Sequence, residues 1–410
     1  MSCNNVNVGN GDLVYFGGNT VDAFGRLRVS NPLTLFDSKS IMSKNSLFDE
    51  STANGGTVTY TSNKSTVNLN VTEASGSKTI RQSKRVMSYQ PGKSLLIFNT
   101  FVMNAQTENL KQIVGLFDAN NGIFFQDTGT GYQIVRRTYT SGSPVDTEIN
   151  QADWNGDKLN GTGASGFTLS PDKSNILFID VEWLGVGSVR VGFVINGQLI
   201  TAHTFNNANS LTTVYMQTAN LPIRYEIQRT GTLAAGTYTL QQICSTCISE
   251  GGYAPSGIDQ LVRTADISTG VNLSTAGTFY NLATIKIKSG RPYAVIVPAG
   301  IDVLNISNND FEYGLFVGAT PSSPFSYTSY SDNIEYDLTT VDLTSLGTQI
   351  ACGYLGGKTA PSVFGGADFI NWAYQLGQTI AGASEILTLA VRSGSNNGKC
   401  AVQFKWLDLT

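Results

Sequence analysis

The sequence predicts an all-β protein, two antiparallel β-sandwiches preceded by an extended N-terminal arm. Three observations lead there. Short apolar or alternating runs recur from residue 57 onward, bounded by Gly, Asn, Ser or Pro, which is how half-buried strands and their turns read. "DANNGIFF" and "VINGQLI" set Asn-Gly between apolar runs, the strongest short hairpin signal. No helical period separates the runs, which excludes a parallel βαβ architecture and leaves antiparallel sheets packed face to face.

Residues 1–45 form the arm, rich in Asn, Gly and isolated apolar pairs. In "VDAFGRLRVSNPLTLFDSK" (21–39), Phe24, Leu27, Val29, Leu33, Leu35 and Phe36 offer apolar surface for docking. Arg26 and Arg28 fall on one face of an extended chain, where guanidinium groups fork onto a partner's carboxylates. Burying one such apolar side chain is worth about 1.5–3 kcal/mol, so three offset much of the cost of ordering the arm. The alternative is that the stretch covers its own first sandwich as an edge strand.

Residues 46–250 form the larger, lectin-like sandwich, with strands at 57–62, 65–71, 94–103, 112–117, 122–127, 132–140, 176–184, 188–195, 199–205, 213–218, 223–228 and 238–248. "SEGGYAPSG" breaks the pattern, and 251–257 is the linker. A smaller distal sandwich follows over 258–410, with strands at 279–288, 293–297, 300–307, 311–318, 348–355, 385–393 and 400–409. Residues 320–346 read as long loops, and "NWAYQLGQTIAG" (371–382) is the one stretch with a helical pattern. Both bodies fit a jelly-roll or lectin-like sandwich.

Charged residues are 14% of the chain and the net charge is −4. Nothing basic is left over to neutralise phosphates, so no nucleic-acid partner is expected. No apolar run approaches the ~18 residues of a membrane span, so no membrane insertion is expected either. The leader has no basic-then-apolar secretory layout. Cys3, Cys244, Cys247, Cys352 and Cys400 are odd in number and scattered, which is no disulfide framework.

His203 is the only histidine. It sits at a strand end with no nucleophile elbow in the sequence, and reads as structural. The lone "CSTC" lies on a strand, where residues three apart face opposite sides, so Cys244 and Cys247 cannot converge on one ion. In "FIDVEW", Asp180 and Glu182 share a strand face, about 6.5–7 Å apart along the chain. Glycoside hydrolysis uses carboxyl pairs about 5–5.5 Å apart for retention and 6.5–9.5 Å for inversion. The segment resembles the E-x-D-x-E strand of laminarinase-type β-sandwich hydrolases, with Phe178 where the first Glu stands, and no catalytic role is expected of it. "DWNGDKLNGTG" places Asp153, Asn155 and Asp157 at alternate positions, a Ca²⁺ candidate. Ala164 stands where an EF-hand carries its last Glu, and a self-bonded Asx-turn loop explains the same residues without an ion. "FNNANS" and "PFSYTSYSDNIEY" (324–336) combine rings with amides and acids, as a sugar- or receptor-binding surface does.

Four stretches, "AFGRLRVSNPLTLFDSK", "DWNGDKLNGTGASGFTLS", "VEWLGVGSVRVGFVINGQ" and "FNNANSLTTVYMQTANLPIRYEI", together resemble a family of virion structural proteins of tailed, notably marine, bacteriophages and some large DNA viruses. They cover most of 22–230, while 258–410 is similar only in strand pattern and length. The resemblance implies a non-enzymatic virion component, made in the host cytoplasm and located in the particle. It would be a tail- or fibre-like appendage subunit, tethered by its arm to tail, neck or capsid proteins. A homo-oligomer, as a trimer, and contact with a host surface glycan or receptor are implied too. No cofactor beyond the Ca²⁺ candidate is expected. The alternatives are a head-decoration or minor capsid protein and, from another class, a polysaccharide depolymerase or carbohydrate-binding module.

Overall fold

The computed structural model describes residues 31–264, 268–357 and 374–410, with the backbone of the strands Asn4–Val8, Asp12–Phe16 and Ser362–Gly365. Phe24, Arg26, Leu27, Arg28 and Val29 lie outside the described residues. Among the described residues there is no α-helix and every strand pairing is antiparallel.

The large body is a two-sheet sandwich. One sheet has seven strands, in the order Val145–Asn150, Tyr132–Thr138, Gly122–Asp127, Leu110–Phe117, Ile223–Arg229, Lys78–Ser83 and Phe48–Ala53. The other runs Gln198–Phe205, Val189–Ile195, Asn175–Val181, Leu95–Val102, Thr237–Ser249, Thr66–Thr72 and Thr57–Thr61. Its eighth strand, Leu33–Lys39, pairs with the second half of Thr237–Ser249. Facing side chains such as Leu69, Ile97, Phe101, Phe125, Leu177, Ile179 and Phe193 interdigitate into a fully enclosed core, the layer that drives two sheets together. In the predicted "VINGQLI" hairpin, Asn196 and Gly197 both take positive φ, 51° and 78°, as a two-residue type I′ turn demands.

Leu33, Leu35 and Phe36, assigned to a docking arm, are part of this sandwich. Phe36 is buried in the core, its ring 5.7 Å from Phe48 at 72°. From residue 33 the chain therefore covers itself. The expected strand at 213–218 is instead an irregular segment. Tyr215 and Met216 are both buried there, because the Tyr215 N–H donates to Gly185 and its hydroxyl to the Glu182 carbonyl.

A second enclosed core, including Leu282, Ile285, Val303, Leu315, Leu389, Phe404 and Trp406, fills the body built from residues 258–410. It lies between a five-stranded and a six-stranded sheet. The predicted 293–297 and 300–307 strands are one strand, Ile296–Asn305, with a bulge at Pro298/Gly300. The described part of the predicted 371–382 helix is irregular, with a bridge between Gln378 and Ser384. The two bodies touch directly. Tyr293 packs on the first core and its hydroxyl accepts a hydrogen bond from Asn121 (3.1 Å), while Ile380 N–H donates to Asp49 (2.8 Å). The connecting segment is held as well. Gln90 exchanges two hydrogen bonds with the Ala254 backbone (2.6 and 3.1 Å), and the Ser88 and Tyr253 hydroxyls meet at 2.6 Å.

Candidate functional site

Strand alternation sorts Asn175–Val181 cleanly. Leu177, Ile179 and Val181 enter the core, so Asp180 must face outward, and Glu182 continues that face just past the strand end. Across the ladder Asp180 stands opposite Arg190 on one side and Leu96 on the other. The cleft over this part of the sheet has a volume of about 700 Å³. Asp180, Arg190 and Thr204 form its floor, the turn from Glu182 to Ser188 one wall, and Tyr89 to Ser94 the other.

Backbone bonds fix both walls. The Glu182 N–H donates to the Ser188 carbonyl, the Ser188 N–H donates to the Glu182 carboxylate (3.1 Å), and Gly187 N–H closes the turn on the Trp183 carbonyl. A side chain at Gly187 would collide with the Glu182 carbonyl, at 2.4 Å from the added carbon, so only glycine lets this turn fold tightly. The Tyr89 hydroxyl accepts from Leu184 N–H (3.2 Å) and its ring meets Trp183 edge-on at 5.8 Å, joining the walls at one end. On the far side, Ser94 donates to Glu250 (2.8 Å).

Asp180 is buried and ion-paired to an Arg190 side chain that remains 61% exposed. Burial pushes the Asp180 carboxyl above its ordinary value; Arg190 opposes the shift without cancelling it, and the Glu250 and Glu182 carboxylates add to it. Phe178, two residues back on the same face, is buried and lies over Gly192. A buried ring outside the cleft lining therefore stands where a third acid of that strand would be.

Of the other sequence candidates, Asn206 of "FNNANS" lines this cleft and the rest do not join it. Asn155 exchanges two hydrogen bonds with the Thr204 backbone (2.8 and 2.9 Å). Asp157 accepts from Leu159 N–H (2.8 Å) and Ser165 N–H (2.6 Å), and these donors hold its carboxyl low against the opposing effect of burial. Asp153 ends a short 3₁₀ turn. Asn155 thus staples the loop to the sheet while the Asp157 oxygens close the loop on itself, and no group of three or more metal-binding side chains occurs among the described residues. His203 completes that staple: burial pushes its imidazole below the usual range, and Nδ1 accepts from Asn155 N–H (3.3 Å). Cys244 is exposed beside Thr100, whereas Cys247 is sealed in the core. The 320–346 stretch, expected as loops, carries short paired strands, Thr328–Ser329 and Ile334–Asp337 among them, and in it Tyr330 packs on Trp406 (5.1 Å) and Lys286 lies 3.9 Å from the Tyr327 ring centre.

Sequence reasoning missed Arg190, Ser94, Lys93 and Glu250 as members of one surface. Their common signal is strand parity counted across paired strands, which needs the register.

No protein-family model matches the chain, and no curated protein matches it. The likeness to virion proteins therefore rests on the sequence blocks alone. Solved structures do match. A Bacillus licheniformis β-glucanase has a TM-score of 0.33 at 12% identity, over 52% of this chain and 96% of its own. A glycoside hydrolase family 16 endo-glucanase from Bacteroides ovatus has a TM-score of 0.36 at 10% identity, over 52% and 99%. Peanut lectin has a TM-score of 0.29 at 14% identity, over 54% and 98%. The likeness is one of fold, a jelly-roll or lectin-like sandwich. It also corrects the expectation of a non-enzyme. β-Glucanases as well as a lectin are among the solved structures with this fold, so the fold itself is no ground for excluding catalysis.

Proposed function

We propose that this chain is a saccharide-recognition protein and that the Asp180–Arg190 cleft is its binding site. The observation that carries the reading is the pairing of a buried carboxylate with an exposed guanidinium on the floor of an open cleft. Neighbouring sugar hydroxyls donate to a carboxylate and accept from a guanidinium, and a floor held by the sheet makes those bonds without first reordering itself. Thr204 and Asn206 add polar partners, and Leu184, 54% exposed on the rim, suits the C–H face of a sugar ring. A glycan array probed with the full chain tests this. Selective retention of one polysaccharide class is expected; an array with no bound glycan overturns it.

A second reading concerns where the cleft is presented. The blocks that resemble virion structural proteins include 181–198 and the segment starting at 205, which build one wall and flank the floor. That overlap supports a particle-borne protein, tethered through its leading residues to tail, neck or capsid partners and turning the cleft toward a host glycan. Mass spectrometry of purified particles, with its position traced in an intact-particle map, tests the assignment. Absence from particles removes it.

A further inference from the structure

We infer that the pocket at the junction of the two bodies binds an apolar monocarboxylate, a medium-chain fatty acid, with Arg85 as the partner of its carboxylate. This is independent of the saccharide reading. The pocket has a volume of about 560 Å³ and takes its walls from both bodies. Leu47 comes from the large sandwich and packs on its core, whereas Val317 and Ile350 pack on the distal core. Tyr374, Leu376 and Leu387 complete the apolar part of the lining. A cavity of this kind between two bodies, largely apolar with a few placed polar groups, is the usual form of a small-molecule site.

The backbone that presents Arg85 is fixed from both sides. Its carbonyl accepts from the Ser83 hydroxyl (2.7 Å), and the Lys84 N–H donates to the Leu47 carbonyl (2.8 Å). From the distal body, Gln378 N–H donates to the Lys84 carbonyl (2.7 Å) and the Gln375 amide to the Val86 carbonyl (3.2 Å). The Arg85 guanidinium, by contrast, makes no hydrogen bond and no ion pair among the described residues.

The carboxylates of the surrounding elements are committed elsewhere. Glu385 faces Lys84 (3.5 Å) and accepts from Gly377 N–H (3.0 Å). Glu50 pairs with Arg81 and Lys44, and Asp49 accepts from Ile380 N–H (2.8 Å). Burial therefore acts on Arg85 with little to oppose it, and lowers its pKa despite the fields of Glu385 and Tyr374. A half-buried cation without a partner is costly, and a carboxylate corrects this by accepting two parallel N–H bonds from the guanidinium. Because Lys84 is held by Glu385, one cation is left for the ligand, which selects a single negative charge. The apolar walls select a hydrocarbon body. A molecule seated there touches both sandwiches, so its binding also stabilises their junction.

The test titrates octanoate and octan-1-ol into the full chain, read by calorimetry and by melting temperature. Octanoate is expected to bind and to raise the melting temperature, and octan-1-ol to bind about tenfold more weakly, for want of the charge-assisted pair. Arg85→Met keeps an apolar stem and removes the charge. It is expected to lose about tenfold in octanoate affinity and, without ligand, to melt no lower than wild type, since no partner is lost. Ile350→Trp, which puts a larger ring into the pocket, is expected to bind neither compound. No octanoate binding, equal binding of octan-1-ol, or an Arg85→Met variant with wild-type octanoate affinity overturns the inference. Full octanoate affinity in Ile350→Trp overturns it as well, and decides the matter should Arg85→Met not fold. Glycan retention is expected to be unchanged in both variants, so this inference and the saccharide reading fail separately.

Discussion

The two outer faces of the large sandwich use the same residue types to opposite ends. On the seven-stranded face, Arg137 grips both oxygens of Asp146 at 2.8 Å, with its guanidinium 5.1 Å from the Phe124 ring centre. Arg224 holds Glu226 at 2.9 and 2.5 Å over Phe117, and Lys78 takes the other Glu226 oxygen at 2.6 Å. Phe117 and Phe124 lie fully buried beneath these groups. On the eight-stranded face, Arg190 meets Asp180 through one nitrogen and stays mostly in solvent above a cleft. Charges paired over buried rings make the first face structural. Unused donors and acceptors make the second a site.

The largest effect that should separate the faces is structural. Glu226→Ala leaves Arg224 buried without its partner and is expected to destabilise the large sandwich by about 3–5 kcal/mol, measured by chemical denaturation, with saccharide affinity of the folded protein unchanged. Arg190→Ala is the mirror case. With one partner in solvent, its pair is expected to cost less stability than the doubly buried Arg224–Glu226 pair, whereas saccharide affinity should fall about tenfold, roughly 1.4 kcal/mol. Comparable stability losses in the two variants would dissolve the distinction.

Acid sharpens it further. Burial alone would raise the Glu226 carboxyl, but Arg224 and Lys78 more than offset this and hold it below its ordinary value. Its contribution is present above the unfolded carboxylate pKa and is lost as pH falls through the lowered folded value. Asp180 is shifted the other way. Its charge costs stability above the raised folded pKa, and the cost disappears as pH falls from there to the unfolded value. Asp180→Asn is therefore expected to match or exceed wild-type melting temperature at neutral pH, the gap closing in acid; Glu226→Gln should show its deficit at neutral pH and lose it in acid. The smallest effect concerns the 153–157 loop. Its oxygens are taken by backbone donors, so EDTA is expected to leave the melting temperature unchanged, and a drop restored by Ca²⁺ would show that a cation competes for them.

Much of the fold was legible because buried strands alternate strongly. Gly122–Asp127 and Thr348–Leu355 were read to the residue. The strands missed were short and polar, "FDESTA", "KTIRQS" and "VDTEIN" among them. There, burial comes from neighbouring layers and not from the strand's own pattern. Arg81 shows why: almost fully buried, it is satisfied by Gln242, Glu50 and the Asn45 carbonyl, contacts up to 161 positions away in sequence. The site was legible only within one strand. Asp180 and Glu182 declare their shared face by spacing, whereas Ser94 becomes a neighbour only through the Leu95 register.

The central claim is that the exposed guanidinium on the eight-stranded face works on a ligand. The most direct measurement is the affinity of wild type and Arg190→Ala for the glycan best retained on the array, by titration calorimetry, with Arg137→Ala as the control from the closed face. The account predicts a loss of about tenfold for Arg190→Ala and none for folded Arg137→Ala. Equal affinities for wild type and Arg190→Ala would contradict it.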